Sequence, residues 1–291
     1  MSLVSLKELF SFGFKSFVYA TSFSVGVLSD KLILGAFINP VAVAFYTIPV
    51  NFLSQARNLV WSVTRVFMPM FSELDARNEK QVARDLLFNS SRYALGIILP
   101  LIGGICILGP TFLHHWMGPD YALQGRWVLH IMAAAYLFQW LCPFRNRFLQ
   151  GVNRLEVQAR LGFVSVIINL AASVALVNFM GKEGVALGTL LPSMVIEPYL
   201  LFYTCRVAGG SLRHYLISVY LPLLVPVSVF AGFLAWFVEM WPPQNLLEVI
   251  WVAMLSIIVY WPFFFMFGMS RHERTVLLDR FWVLHRKWRR A

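Results

Sequence analysis

Polar side chains follow the second apolar segment of the chain at intervals that place them on one face of a helix. They are Thr47, Asn51, Ser54, Asn58, Ser62 and Arg65, with Gln55 beside them. At about 100° per residue they fall within a stripe roughly 80° wide. Exposing such a row of polar side chains to lipid costs free energy, so this face must contact other helices or water.

The first apolar segment carries a matching row, and the two rows together indicate a hydrated cavity with a cationic end. The second row is Ser11, Lys15, Tyr19, Ser22, Gly26, Ser29 and Asp30. The side chains that we expect to bind a ligand in the cavity are Lys15, Tyr19, Asn51, Arg57, Asn58 and Arg65. The alternative is close packing between helices through small and amide residues.

Cationic residues within these segments point to a ligand with negative charge, because charges inside a membrane are costly and usually functional. Lys15 and Arg65 are expected to meet a phosphate near the mouth of the cavity, since an arginine offers two parallel donors to an anion. Arg145 and Arg147 follow Pro143. They are either part of the same basic mouth or anchors at the membrane surface.

Two acidic residues are candidates for binding a coupling ion. Glu197 lies between Pro192 and Pro198, well inside an apolar segment, and Asp30 ends the polar row of the first segment. Such a site would bind a proton or a sodium ion. For Glu197 two alternatives stay open, namely a structural ion pair with an arginine and a neutral buried acid.

The residue constellations of common enzymes are missing from the sequence. His114 and His115 have no carboxylate or cysteine at the spacing of a metal site. A glycine-rich phosphate loop of the Walker type is also missing. A membrane-embedded transferase would place acidic or histidine clusters at the membrane face, where only Asp120 accompanies the two histidines. We therefore expect no enzymatic activity, no cofactor and no metal.

The composition indicates which solvent these segments face. Of 291 residues, 59% are hydrophobic and 13% are charged, whereas a soluble domain carries about a quarter of its residues as charged ones. A helix needs roughly 20 apolar residues to cross a bilayer, and about eight stretches qualify. They are 9–29, 41–69, 91–113, 127–148, 160–180, 184–205, 214–237 and 246–269. Since none alternates as a strand would, we predict an all-α integral membrane protein.

The basic residues predict the orientation of the bundle. All of the 24 Lys and Arg residues except Lys31, Arg126 and Lys182 fall at the two chain ends or in alternate connections. By the positive-inside rule these regions are cytoplasmic, so both termini are expected there. The net charge of +10 therefore indicates topology and attraction to anionic membrane lipids, and we do not expect nucleic-acid binding.

Two charged segments are predicted to lie on the membrane surface. Residues 72–92 combine charges with Val82, Leu86 and Leu87, a pattern that favours an amphipathic helix. The tail, residues 271–291, repeats apolar residues at helical intervals among basic ones. It is predicted to be a basic amphipathic anchor in the headgroup region rather than a helix that binds a partner protein.

Five short runs of residues stand in an order that resembles a known family. They are SDKLILGAF at 29–37 (followed by Val43, Tyr46 and Thr47), PMFSEL at 69–74, WMGPDY at 116–121, LQG at 149–151 and GVALGT at 184–189. In order and spacing they resemble the second half of the Wzx-like exporters of lipid-linked oligosaccharides. These exporters are part of the multidrug/oligosaccharidyl-lipid/polysaccharide superfamily. The resemblance covers roughly residues 5–210.

This resemblance implies a fold and a mechanism. Members of the family have two six-helix lobes, and alternating access carries an undecaprenyl-diphosphate-linked sugar across the inner membrane. A basic central cavity receives the diphosphate and the glycan, and Lys15, Arg57 and Arg65 stand at plausible positions for it. Residues 1–210 would be the second lobe, 211–270 two additional transmembrane helices, and 271–291 the cytoplasmic tail.

The resemblance also implies that the first lobe is missing from this chain. A cavity between lobes needs both of them to complete a transport cycle. The explanations are a misplaced start codon, a truncated gene, or a lobe supplied by another chain or by a second copy. Other polysaccharide-assembly proteins are further candidate partners.

The function expected from the sequence is the flipping of an undecaprenyl-diphosphate-linked oligosaccharide across the bacterial inner membrane. The pathway would be surface polysaccharide synthesis, such as that of lipopolysaccharide O-antigen or exopolysaccharide. One alternative is a multidrug/cation antiporter of the same fold, although it would favour acidic groups in the cavity. Another is a membrane scaffold in polysaccharide assembly that transports nothing.

Overall fold

The computed structural model describes residues 28–269 without a gap, together with residues 13, 17, 21, 24–26 and 273–275. The helices are α1 (described here over 28–37), α2 (Pro40–Thr64), α3 (Phe67–Ala76), α4 (Lys80–Met117), α5 (Pro119–Gln139), α6 (Arg145–Gly151), α7 (Glu156–Val207), α8 (Leu212–Tyr215), α9 (Leu221–Met240) and α10 (Leu246–Phe263). A π-helical turn joins α8 to α9, and a second π-helical turn follows α10. The part of the chain that the structure describes contains no strand, and the all-α class is confirmed.

Four of these helical elements are long and apolar enough to cross a membrane. They are Lys80–Met117, Glu156–Val207, Leu212–Met240 and Leu246–Gly268. The second of them, α7, is a hairpin, because Gly181 has φ 59° and ψ −132° and breaks it into two limbs. This break lies between the predicted segments 160–180 and 184–205. The chain is thus a multi-pass helical membrane protein, as its composition predicts.

Small residues let the two limbs of α7 pack closely. A β-carbon at Gly184 would overlap the backbone carbonyl of Leu176, and one at Gly188 would overlap the Ser173 hydroxyl. The Ser173 hydroxyl donates to the carbonyl of Val185 at 3.4 Å. Close approach through small residues, with a polar contact between helices, is the usual way in which membrane helices associate.

Helix α4 is shared by two hydrophobic cores. On one side Ile98, Ile102 and Ile105 pack with buried residues of α1, α2, α5 and α7. On the other side Leu87 and Leu95 join buried residues of α3, α6 and the C-terminal helices α8–α10. The first core supports the cavity described below, and the second attaches the C-terminal helices to it.

Two predicted boundaries are wrong, and proline explains both. Segment 41–69 divides into α2 and α3, because the ring of Pro69 would clash with the carbonyl of Arg65, four residues earlier. Segment 127–148 divides into α5 and α6, because Pro143 would clash in the same way with Gln139, the last residue of α5. The second break leaves residues 140–144 as an irregular bend between two helices.

The predicted surface helix 72–92 is also not a separate element. Its first residues complete α3, and the chain then turns at Asn78, which has φ 57°. Asparagine tolerates this left-handed conformation better than most residues. Helix α4 begins at Lys80 and continues into the predicted span 91–113, because Leu87 is completely buried. Of the predicted tail, only residues 273–275 belong to the described part of the chain.

The tight α7 hairpin predicts that Gly184→Ala lowers thermal stability. The added methyl group would push the two limbs apart, at a cost of about 1–3 kcal/mol as for other overpacked sites. Gly232→Ala in α9 is the control, because a β-carbon there meets no atom within 4 Å. Thermal unfolding in detergent, followed by tryptophan fluorescence, would measure both variants. Equal melting temperatures would contradict the packing described here.

Candidate functional site

A cavity of about 680 Å³ lies among α1, α2, α5, α6 and both limbs of α7. Five cationic and two acidic side chains line it. They are Lys31, Arg57, Arg65, Arg145 and Arg147, against Asp30 and Glu197. The amides that line it include Asn51, Gln139, Asn146, Gln150, Gln158 and Asn169. The cavity thus contains many polar side chains among apolar ones, and its lining carries an excess of positive charge within a membrane-spanning bundle.

A hydrogen-bonded network surrounds the carboxylate of Asp30. The Tyr46 hydroxyl donates to Asp30 Oδ2 at 2.7 Å, and the Thr189 hydroxyl donates to the same oxygen at 3.1 Å. Asn169 Nδ2 donates to Thr189 Oγ1 at 2.9 Å. Asp30 Oδ1 and Asn169 Oδ1 are both buried and have no hydrogen-bond partner among the described residues. Helices α1, α2 and α7 therefore meet around two unsatisfied oxygen acceptors.

Arg57 lies between aromatic rings on the wall of the cavity. Its guanidinium carbon is 5.3 Å from the centre of the Trp61 ring and 5.8 Å from that of Tyr136. One of its terminal nitrogens donates to the Tyr136 hydroxyl at 3.3 Å. Such contacts stabilise a guanidinium without neutralising it. These contacts hold the guanidinium of Arg57 at the cavity wall.

Arg145 and Glu197 form an ion pair across the cavity wall. Arg145, the first residue of α6, donates to Glu197 on the second limb of α7. The side chains are 6% and 14% exposed, so the pair is largely removed from solvent. Nearby, Arg147 donates to Gln150 Oε1 at 3.0 Å, and Gln158 donates to Asn146 Oδ1 at 2.6 Å. The residues that follow the bend therefore form one polar cluster.

The predicted site residues divide into three groups. Asn51, Arg57, Arg65, Asp30 and Glu197 line the cavity. Asn58 is exposed on a face of α2 that does not line it. Lys15 and Tyr19 lie outside the described residues. On α2 the lining face is rotated by roughly 70° from the predicted stripe, at about 100° per residue. The roles of these residues in binding stay predictions.

Several residues of the site escaped the sequence analysis. Tyr46, Tyr136, Asn169, Thr189 and Gln158 lie in segments whose apolar residues dominate the pattern. Asn169 and Ser173 stand four residues apart in the first limb of α7, which was a signal for a polar face. The partner of Glu197 was not identifiable, because Arg145 is 52 residues away in the chain.

The ion pair predicts a large coupling energy between Arg145 and Glu197. Glu197→Gln should destabilise the protein by about 3–5 kcal/mol, because Arg145 would be left buried without its counter-ion. Adding Arg145→Gln should restore a large part of that loss. The matched control is Glu73→Gln, which breaks the exposed Arg77–Glu73 pair (2.6 Å) and should change stability by less than about 1 kcal/mol. Additive effects in a thermal double-mutant cycle would contradict a coupled pair.

Comparison with known proteins adds two sequence findings. Residues 1–124 match the family model for polysaccharide biosynthesis proteins. A probable low-salt glycan biosynthesis flippase of Haloferax volcanii is 25% identical over 162 residues, which are 56% of this chain and 34% of that protein. The chain therefore spans about a third of the length of this curated relative.

A solved structure gives the fold. The lipid II flippase MurJ, in an inward closed conformation, superposes with a TM-score of 0.69 at 15% identity. The superposition covers 87% of this chain and 53% of MurJ. Both named relatives are flippases, which are transporters, in agreement with the prediction that this chain is not an enzyme. The resemblance to the Wzx-like flippases of polysaccharide biosynthesis is confirmed, and the chain has the fold of about half of a MurJ-like flippase.

Proposed function

We propose that this chain is part of a flippase that moves an undecaprenyl-diphosphate-linked oligosaccharide across a membrane during surface polysaccharide synthesis. The observation that supports this most is the set of arginines around a cavity inside the helical bundle. Positive charge in such a place is costly unless an anion or a counter-ion compensates it. A diphosphate supplies that compensation in the substrate complex.

The arginines suit a diphosphate better than a single carboxylate. Arg57, Arg65, Arg145 and Arg147 all line the cavity, and Glu197 neutralises one charge among them. Guanidinium groups bind phosphate oxygens through two parallel hydrogen bonds, which favours this geometry over point charges. The diphosphate would therefore be held between α2 and α6.

The size and the remaining lining residues suit a headgroup with sugars attached. A cavity of about 680 Å³ is within the usual range for small-ligand pockets, about 300–1,000 Å³. Asn51, Gln139 and Gln150 offer amide donors and acceptors for sugar hydroxyls. A long polyprenyl chain does not fit in this volume and would stay in the bilayer.

The exposed polar face of α2 supports the idea that a second lobe packs against this chain. Gln55, Asn58 and Ser62 are exposed and do not line the cavity. Polar side chains on a membrane helix rarely face lipid. We propose that a further lobe covers this face, either from a longer gene product, from another chain or from a second copy. The central transport pathway would then run between the lobes.

Membrane orientation in this proposal follows the positive-inside rule. Both termini would be cytoplasmic in a bacterial inner membrane. The end of the bundle that contains the start of α4 and the end of α7 would face the cytoplasm. The arginines of α2 and α6 would then be close to the side from which the lipid-linked substrate enters.

The Asp30 network is our candidate for the coupling-ion site. Asp30 Oδ1 and Asn169 Oδ1 are buried acceptors without a partner among the described residues, and Thr189 adds a third oxygen. Oxygen groups of this kind suit a hard monovalent cation or a proton. Glu197 is less suited to this role, because Arg145 already compensates its charge. The Asp30 network would link ion binding to the arrangement of α1, α2 and α7.

The alternative functions are less well supported. A multidrug/cation antiporter would need acidic groups to attract its substrate, whereas five cationic and two acidic side chains line this cavity. A scaffold without transport would not need a cavity lined by charged side chains inside the membrane. The scaffold stays an alternative because the chain matches only about a third of the curated flippase and about half of MurJ.

The proposed diphosphate site predicts that Arg65→Ala weakens substrate binding. Loss of charge-assisted hydrogen bonds should cost about 1.5–3 kcal/mol, or roughly ten- to a hundredfold in affinity. Arg154→Ala is the control, because Arg154 is exposed and does not line the cavity. Binding of undecaprenyl-diphosphate oligosaccharide would be measured with the purified full-length chain in nanodiscs.

The same pair of variants would be compared in cells for the amount of surface glycan. Undecaprenol without the diphosphate is the ligand control. Unchanged affinity and unchanged surface glycan in Arg65→Ala would refute the assignment of the cavity to phosphate.

The coupling-ion site predicts that cations raise the melting temperature of the wild-type protein but not of Asp30→Asn. A ligand that binds only the folded state stabilises it by RT ln(1 + [L]/Kd), so the melting temperature rises with ligand concentration. The melting temperatures of both proteins would be measured in sodium chloride and in choline chloride at equal ionic strength. The same measurement would be repeated at several pH values. Asp120→Asn, an exposed change, should behave as the wild type. An equal response of Asp30→Asn and the wild type would show that the ion binds elsewhere.

A further inference from the structure

The bend between α5 and α6 is held in place by two tyrosines of the C-terminal helices. The carbonyl of Leu141 accepts a hydrogen bond from the Tyr215 hydroxyl at 2.9 Å and another from the Tyr220 hydroxyl at 2.8 Å. Tyr215 is completely buried. Among the described residues that line the cavity, none comes from α8, α9 or α10. The tyrosines therefore reach the bend from outside the cavity.

A π-helical turn brings both tyrosines to this one carbonyl. The turn comprises Leu216–Tyr220, and the N–H of Leu221 bonds to the carbonyl of Leu216, five residues earlier. In an α-helix, residues five apart point about 140° away from each other. The wider π turn reduces that angle, and the ring centres of Tyr215 and Tyr220 are 6.1 Å apart. Single π turns are rare and often occur at functional sites.

The bend in turn determines where the basic end of the cavity lies. Pro143, Arg145 and Arg147 line the cavity directly after Leu141, and Arg145 pairs with Glu197. Only three residues separate Leu141 from Arg145, and Pro143 lies among them. A shift of the Leu141 carbonyl is therefore passed on to the start of α6 and to its arginines.

We propose that Tyr215 and Tyr220 are positioning residues that hold the α5–α6 bend, and with it Arg145 and Arg147, in place for an anionic headgroup. The identity of the headgroup rests on the proposed function. One donor would be enough to satisfy the carbonyl of Leu141, which lies in the bend beyond the end of α5. The positioning role accounts for the second donor and for the π turn that supplies it. The C-terminal helices thus act on the cavity without lining it.

The test compares Tyr215→Phe/Tyr220→Phe with Tyr260→Phe in the full-length chain in nanodiscs. Tyr260 is a matched control, because it also lies in the C-terminal helices and its buried hydroxyl also donates to a backbone carbonyl. That carbonyl belongs to Gly96, at 2.5 Å, and is away from the bend. Hydrogen exchange of the peptide 140–151 reports on the bend, and affinity for undecaprenyl diphosphate reports on the site. In the double variant we expect both exchange protection and affinity to fall about tenfold. Tyr260→Phe should leave both at the wild-type level.

The outcomes separate the positioning role from the proposed function. Unchanged protection of 140–151 in the double variant would overturn the inference. So would faster exchange with unchanged affinity for undecaprenyl diphosphate, because the tyrosines would then support the bend alone. A third outcome is faster exchange in the double variant together with a wild-type protein that binds undecaprenyl diphosphate no more tightly than undecaprenol. It would support the role of the two tyrosines at the bend and count against the proposed function.

Discussion

A polar group in the interior of a bilayer has to be compensated by the protein, because lipid offers no hydrogen bonds. In this chain the compensation takes place between helices that are far apart in the sequence. Glu197 of α7 pairs with Arg145 of α6, and Asp30 of α1 accepts from Tyr46 of α2 and Thr189 of α7. These contacts determine which helices surround the cavity. The apolar packing around them then fills the space that remains.

The same constraint separates what sequence could predict from what it could not. Apolar segments of sufficient length are visible in the sequence, since bilayer thickness sets the length of a spanning helix. The spans at the α7 hairpin and in α9 and α10 were recognised for this reason. Helix ends inside the protein depend instead on local chemistry. The breaks before Pro69 and Pro143 were missed because the segments stay apolar on both sides of them.

The face of α2 illustrates a second limit of prediction from sequence. Helical periodicity showed that one side of α2 is polar, but not which neighbour that side meets. In the structure Asn51 and Arg65 belong to the cavity, whereas Asn58 is exposed. The pairing of Arg145 with Glu197 depends on the bend at 140–144, and Tyr46 reaches Asp30 only because α1 and α2 pack side by side. Such contacts follow from tertiary packing and leave little trace in local residue patterns.

The length of α4 has a mechanical consequence. Its 38 residues extend for about 57 Å, whereas the hydrocarbon core is about 30 Å thick. A large part of this helix therefore projects beyond the membrane interior. The N-terminal part of α4, at Leu87 and Phe88, packs with α3 and with Tyr215 of α8, and α3 packs in turn on α6 through the Phe71–Phe148 contact. If α4 tilted slightly within the bilayer, this end would move farther than the middle of the helix. The movement would displace α6, which bears Arg145 and Arg147.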